Sequence, residues 1–193
     1  MEVKARTAGR FLGVALALCA VTTWAGSYPD TITLFKNAGE SASFFNNSYG
    51  YAVFPTIGKG GLVVGGAHGT GHVYQHGHYV GDTTMNQVSV GFQAGGQAYS
   101  QIIFFQNKDA FDAFTNGSFE FGADVNAVAI TAAAGGSVGT TGASGSASGG
   151  MKDAKTAGSY YKGMAVFTIV KGGAMYQATV GGQKFSYKAK PAA

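Results

Sequence analysis

The side chains able to do chemistry in this chain are its histidines and its lysines. His68, His72, His76 and His78 fall within eleven residues, a density that raises metal ligation, because neutral imidazole is a common metal ligand. Hairpin register decides the matter. A three-residue turn at Gln75 to Gly77 makes His72 and His78 diagonal neighbours on one face, whereas a two-residue turn at His76-Gly77 puts them on opposite faces. No cysteine or carboxylate is interleaved among them. Solvent-facing hairpin histidines are therefore the stronger reading, and a metal site at His72 and His78 the weaker.

The lysines are unevenly placed. Residues 26–140 hold three lysines against seven acids, net −4, whereas residues 141–193 hold seven lysines against one acid, net +6. This segregation points to an anionic partner near the C-terminal segment, the plain alternative being that it keeps a β surface soluble. No arginine lies beyond Arg10, which removes the preferred base-reading and stacking cation and argues against nucleic acid. Lysine point charges suit phospholipid headgroups instead, each contributing about 1 kcal/mol near an anionic bilayer. The candidate lipid contacts are Lys162, Lys171, Lys184 and Lys188, with Lys152 and Lys155 beside a Gly-rich segment. In Lys184 to Lys188 the lysines and Ser186 point one way while Phe185 and Tyr187 point the other, giving one cationic and one apolar face.

Catalysis finds little footing. The histidines crowd one hairpin without an obvious nucleophile, Gly65 to Gly71 has the wrong glycine order for a dinucleotide fingerprint, and no Gly-Lys-Ser/Thr closes a phosphate loop. No enzyme, no catalytic residue and no cofactor is expected.

The elements that must position these residues are short and glycine-punctuated. Lys4, Arg6 and Arg10 precede an apolar run from Phe11 to Val21 and the small-residue site Thr23-Trp24-Ala25, which reads as a secretory leader over 1–25. Bulky Leu18 before Cys19 argues against a lipoprotein anchor there. Export to the periplasm, peripheral to a membrane, is the expected location, and residues 26–193 form one domain. Asp30 can cap a helix with Ile32, Phe35, Ala38, Ala42 and Phe45 on one stripe, ending near Asn46-Asn47. Extended segments follow: Tyr51 to Phe54, broken by Pro55; Leu62 to Val64 between glycine pairs; a hairpin over His72 to Val80; and Val88 to Ala94, with Gly95-Gly96 bending the chain toward Ala98 to Phe105. The apolar Ile102 to Phe105 must be covered on both faces. Asn107 or Asp109 starts a short helix with Phe111 and Phe114 as core contacts, a strand follows from Phe119, and Gly135 to Gly150 reads as a mobile loop or a frayed edge hairpin. At the C-terminus, Gly172-Gly173 and Gly181-Gly182 read as hairpin turns dividing three strands. The expected fold is mainly β (α+β): an antiparallel, closed or nearly closed Gly-rich sheet with an N-terminal helix and a short second helix.

An ordered set of motifs carries a resemblance. Tyr51-Ala-Val-Phe-Pro55, Lys59-Gly-Gly-Leu-Val-Val-Gly-Gly66, Gly91-Phe-Gln-Ala-Gly-Gly-Gln97, Ile102-Ile-Phe-Phe-Gln-Asn107, Lys171-Gly-Gly-Ala-Met-Tyr176 and Val180-Gly-Gly-Gln-Lys-Phe185 together resemble the SYLF domain family, from about the first helix to Tyr187. Eukaryotic members are associated with phosphoinositide-rich membranes and actin assembly, and bacterial ones with lipid binding. The resemblance implies an exported bacterial protein that binds anionic phospholipid membranes; an exported protein should meet neither actin nor, normally, phosphoinositides. The rival is a module that recruits envelope proteins through strand edges and the Gly-rich loop.

Overall fold

The computed structural model of the chain describes residues 26–121, 128–132, 138–139 and 160–191. Residues 1–25, expected as a leader, most of the Gly-rich segment, and Lys152 and Lys155 lie outside them.

The expected N-terminal helix is present but divided into α1 (Tyr28–Asn37), α2 (Gly39–Ala42) and α3 (Phe44–Asn47). Its cap is Ser27, not Asp30: the Ser27 hydroxyl accepts from the Asp30 amide at 3.2 Å and donates to the Asp30 carboxylate at 2.6 Å. Asp30 thus sits inside the first turn, where its charge also suits the helix dipole. The break has a local cause. Ala38 is extended, and the buried Ser41 hydroxyl donates to the Phe35 carbonyl at 2.6 Å, satisfying a C-terminal carbonyl that helix continuation would otherwise take. A second helix, α4 (Lys108–Thr115), is capped by Asn107, whose side-chain oxygen accepts from the Ala110 amide at 2.9 Å.

The strands are β1 (Gly50–Gly61), β2 (Val64–Gln75), β3 (His78–Phe105), β4 (Ser118–Phe121), β5 (Val128–Ala132), β6 (Val138–Gly139) and β7 (Met164–Ala189). Pro55 does not break β1. A register shift between Val53 and Ile57 absorbs it as a bulge, and the Ser100 hydroxyl donates to the Pro55 carbonyl at 2.8 Å. The β2–β3 turn is the two-residue His76-Gly77, with φ of 48° and 81°, the doubly positive backbone that matches strand twist.

The largest departure from expectation lies at the C-terminus. Gly172-Gly173 and Gly181-Gly182 are not hairpin turns: β7 runs unbroken for 26 residues and pairs antiparallel with β3 from Gly81–Ala189 to Phe105–Met164. A long partner supplies every residue of β7 except Lys171 with a register partner, so glycine here serves a bend rather than a reversal. β3 pairs with β2 up to Val64–Val90, then with β1 from Gly61–Gly95, thereby passing around the end of the β1–β2 hairpin within five residues. β7 makes the same passage, Val180 to Met175, in the same number of residues. A flat outer arch would need about 10 Å more path, two strand spacings of about 4.8 Å. The β3–β7 ribbon therefore bends out of its plane, through Gly95 with φ of 114°.

The bend makes two cores. On the concave side Phe54, Ile57, Val73, Met85, Ile103, Phe105 and Phe185 cluster, so both halves of β3 face one interior, and α4 adds Phe111 and Phe114. On the convex side Val53, Ile102, Phe104, Phe167 and Ile169 pack against Phe35 and Phe44 of the helical segments. Ile102 to Phe105 is thus covered on both faces, as its unbroken apolarity required. The sheet is antiparallel apart from the parallel β5–β7 pairing, and it is not closed. β4 pairs with the C-terminal half of β7 and β5 with its N-terminal half, and among the described residues no pairing joins these edges. The closed or nearly closed sheet expected from the sequence is corrected accordingly: β4 ends the ladder on one side, and β5 followed by β6 ends it on the other.

Candidate functional site

The single-strand nature of β7 changes where the lysines lie. Lys184 and Lys188 share the outward face of its C-terminal half, with Phe185 buried behind them. Each faces a carboxylate in register, Lys184 opposite Glu120 and Lys188 opposite Asp82. Lys171 sits on the N-terminal half beside a register shift, donates to the Thr56 hydroxyl at 3.2 Å, and burial lowers its pKa. Lys162 precedes β7 in a turn with φ of 50°, its ammonium 5.2 Å from the Tyr161 ring. Hence the structure brings Lys184 and Lys188 together and holds Lys162 and Lys171 on the other half of a bent strand; Lys152 and Lys155 lie outside the described residues.

The histidines are dispersed among separate partners. His68 Nδ1 lies 2.8 Å from the Asn86 side-chain oxygen, His76 packs edge-on to Tyr49, and His72 stacks on Tyr28 with centroids 3.4 Å apart and Nε2 3.4 Å from an Asp82 oxygen. Burial lowers the His72 pKa, partly offset by Asp82. The two-residue turn puts His72 and His78 on opposite faces, which separates the pair considered for a metal. Among the described residues no three His, Cys, Asp or Glu side chains are grouped to hold an ion. A depression of about 410 Å³ between α3 and the His76-Gly77 turn carries one cation, Lys36, placed over the Phe45 ring.

The bend at Gly95-Gly96 was expected; what the sequence did not single out is which face of β3 it turns inward. Along β3 the concave residue is Ser89, fully buried, while its apolar neighbours Val88 and Val90 are 67% and 61% exposed. The alternation was legible, its polarity was not. Where the large concave side chains of β1 lie against β2 only glycine fits: a Cβ at Gly69 would meet Ile57 Cγ1 at 2.6 Å, and one at Gly71 would meet Phe54 Cδ1 at 2.7 Å. Leu62, Val63 and Val64, expected as a strand between glycine pairs, instead form the β1–β2 turn and its exit. They are 70%, 67% and 64% exposed. Val64 stands opposite Val90, and Gly66 opposite Val88, so the turn continues into the outward face of β3. Just below the turn, Lys59 shares the concave side with Ile57, pairs in register with Ala67 and Gln97, and is half-buried. Desolvation pulls its ammonium below the usual 10.5. The adjoining concave lining is neutral and polar: buried Gln101 donates to Gln183 at 3.2 Å, and Gln183 to Gln87 at 3.4 Å. Residues 57–69, 85–99 and 164–183 contain no Asp or Glu; their only charged residues are Lys59 and Lys171. Lys59 and the aliphatic turn are thus the candidates that sequence reasoning missed, the available signal being three consecutive large aliphatics between two glycine pairs.

Comparison with known proteins places this geometry in a context. A family model described as Ysc84, Las17-binding protein actin regulator, matches residues 86–189, which run from within β3 through α4, β4, β5 and β6 to the end of β7. The chain is 29% identical over 156 residues to Beta cell expansion factor A of Aeromonas veronii, covering 80% of this chain and 51% of that protein. It therefore spans about half the length of that curated relative. No solved structure matches.

Proposed function

This chain belongs to the Ysc84 (SYLF) family, and from that premise we propose that it is a non-enzymatic module that binds anionic phospholipid membranes peripherally in the bacterial cell envelope. The observation that carries this reading is the charge and polarity of the bent end of the sheet: exposed aliphatic side chains, two lysines and no carboxylate across residues 57–69, 85–99 and 170–183. A surface of that composition is attracted to an anionic bilayer by its cations and retained by its apolar groups. Lys162, Lys184 and Lys188 are exposed and add to the attraction at longer range. For Lys184 and Lys188 the carboxylates opposite reduce the gain. Lys152 and Lys155 extend the same positive segment in the sequence.

Among the described residues no helix is long and apolar enough to cross a membrane, and the reading needs none. The basic and apolar residues 1–25 favour export, which puts the membrane in the envelope and leaves the actin regulation in the family description without a counterpart for this chain. Vesicle flotation tests the proposal. The protein should float with vesicles containing phosphatidylglycerol, and binding should weaken as salt rises from about 0.1 M to about 1 M, where the Debye length falls from about 10 Å to about 3 Å. Equal flotation with neutral and anionic vesicles, or none with either, refutes it; in the latter case recruitment of an envelope protein becomes the reading to pursue.

A further inference from the structure

Resting on that membrane reading, we propose that the β1–β2 turn is the element that enters the bilayer, with Leu62, Val63 and Val64 leading, Val88 and Val90 following, and Lys59 meeting lipid phosphate.

Single exposed aliphatic residues are ordinary on a protein surface, but five adjoining ones with no acidic neighbour in the sequence are not. Here three are consecutive, 64–70% exposed, and Val64 pairs directly with Val90. Their flanks are Gly60-Gly61 and Gly65-Gly66, which have no side chains to shield them. The shape also favours lipid as occupant. The turn ends a hairpin with its aliphatic side chains 64–70% exposed, and a fluid bilayer conforms to such an end, whereas a protein partner would need a surface matched to it. The five side chains fall far short of the roughly 20–30 residues a side in a standard protein interface.

Charge and depth agree with this orientation. Lys59 precedes Leu62 by three residues, about 10 Å of strand, so with the aliphatic tip in the acyl boundary its ammonium lies at the depth of the headgroups, where interfacial elements bury about 5–10 Å. Its half-buried position, beside neutral Gln97 and Ala67 in register, leaves an anionic ligand as the natural complement. Lys171, against Thr56 further down β1, remains outside the bilayer and contributes attraction at a distance.

The test uses the full chain with Trp24→Phe, so that an introduced indole is the only one. Val63→Trp should be quenched by vesicles of anionic lipid carrying brominated acyl chains. Gln106→Trp, exposed beside α4, should not. Leu62→Asp/Val64→Asp should lower the vesicle partition coefficient at least about tenfold, with the far-UV circular dichroism unchanged, because both positions are exposed. If wild type floats while Val63→Trp is not quenched and the double variant floats equally, insertion at this turn is overturned and membrane binding stands. If wild type never floats, the membrane reading falls and takes this inference with it. If the double variant turns a dimer into a monomer in sedimentation, a second copy covers the patch and the proposal is likewise overturned.

Discussion

Phe185→Ala tests the register on which every facial assignment along β7 depends. Phe185 is 1% exposed, and its ring lies 5.7 Å from that of Phe54 on β1, 5.3 Å from Phe114 on α4 and 5.4 Å from Phe121 on β4. One side chain therefore ties three elements to β7. Truncating it removes a fully buried ring and leaves a cavity walled by three others, which cannot all collapse inward; the expected cost is about 3–5 kcal/mol. With a urea slope near 2 kcal/mol per molar for a domain of this size, the midpoint should fall by about 1.5–2.5 M, and Tm by about 10 °C or more. Reversible urea unfolding followed by far-UV circular dichroism measures it. The slope should be unchanged, because the native fold persists. Lys184→Ala, one residue away and exposed, should change stability by no more than about 0.5 kcal/mol. A one-residue slip of β7 would exchange these faces. A cost below about 1 kcal/mol for Phe185→Ala, or a larger one for Lys184→Ala, would refute the pairing of β7 with β3 and the facial assignments built on it.

Two further substitutions probe the bend. Gly71→Ala brings a Cβ to 2.7 Å from both Phe54 Cδ1 and the Val53 carbonyl oxygen; the backbone atom has little freedom to retreat, so thermal unfolding should show a loss of about 1–3 kcal/mol, whereas Gly66→Ala, 3.4 Å from the Gln87 carbonyl oxygen, should be nearly silent. Lys59→Met should raise stability at neutral pH while weakening vesicle binding. Desolvation lowers the folded-state pKa of Lys59 below its ordinary 10.5, so between those values the unfolded chain binds more protons and wild-type stability rises with pH. The variant should lose that alkaline rise, and identical pH profiles for the two proteins would contradict the desolvated placement of the ammonium.

Several features could be read directly from the residues. The alternation of Phe185 and Tyr187 against Lys184, Ser186 and Lys188 and the two-sided burial of Ile102 to Phe105 each follow from a local pattern that nothing distant opposes, while the β2–β3 turn and the cap of α4 were each narrowed to two choices, of which the structure takes His76-Gly77 and Asn107. Family membership was also legible, because it rests on an ordered series of glycine spacings rather than on any contact. The glycine pairs at 172–173 and 181–182 misled because a glycine pair permits either a reversal or a bend. β3, 28 residues long and starting nearly a hundred positions earlier, supplies the ladder that selects the bend.

The candidate site was less legible for the same reason. Seven lysines after residue 140 announced a positive segment, yet their sharing of a surface depended on hairpins that do not form. Composition and periodicity by themselves determined that this is a Gly-rich antiparallel β protein with a cationic C-terminal segment, since strand period and charge are properties of neighbouring residues. Only the tertiary structure decided that Ser89 turns inward and Val88 and Val90 outward, and that Leu62 to Val64 ends as an uncovered tip above Lys59. Alternation fixes that two faces differ, but which face becomes concave depends on the direction in which the β3–β7 ribbon bends, and that is set by the distant core its inner side closes over.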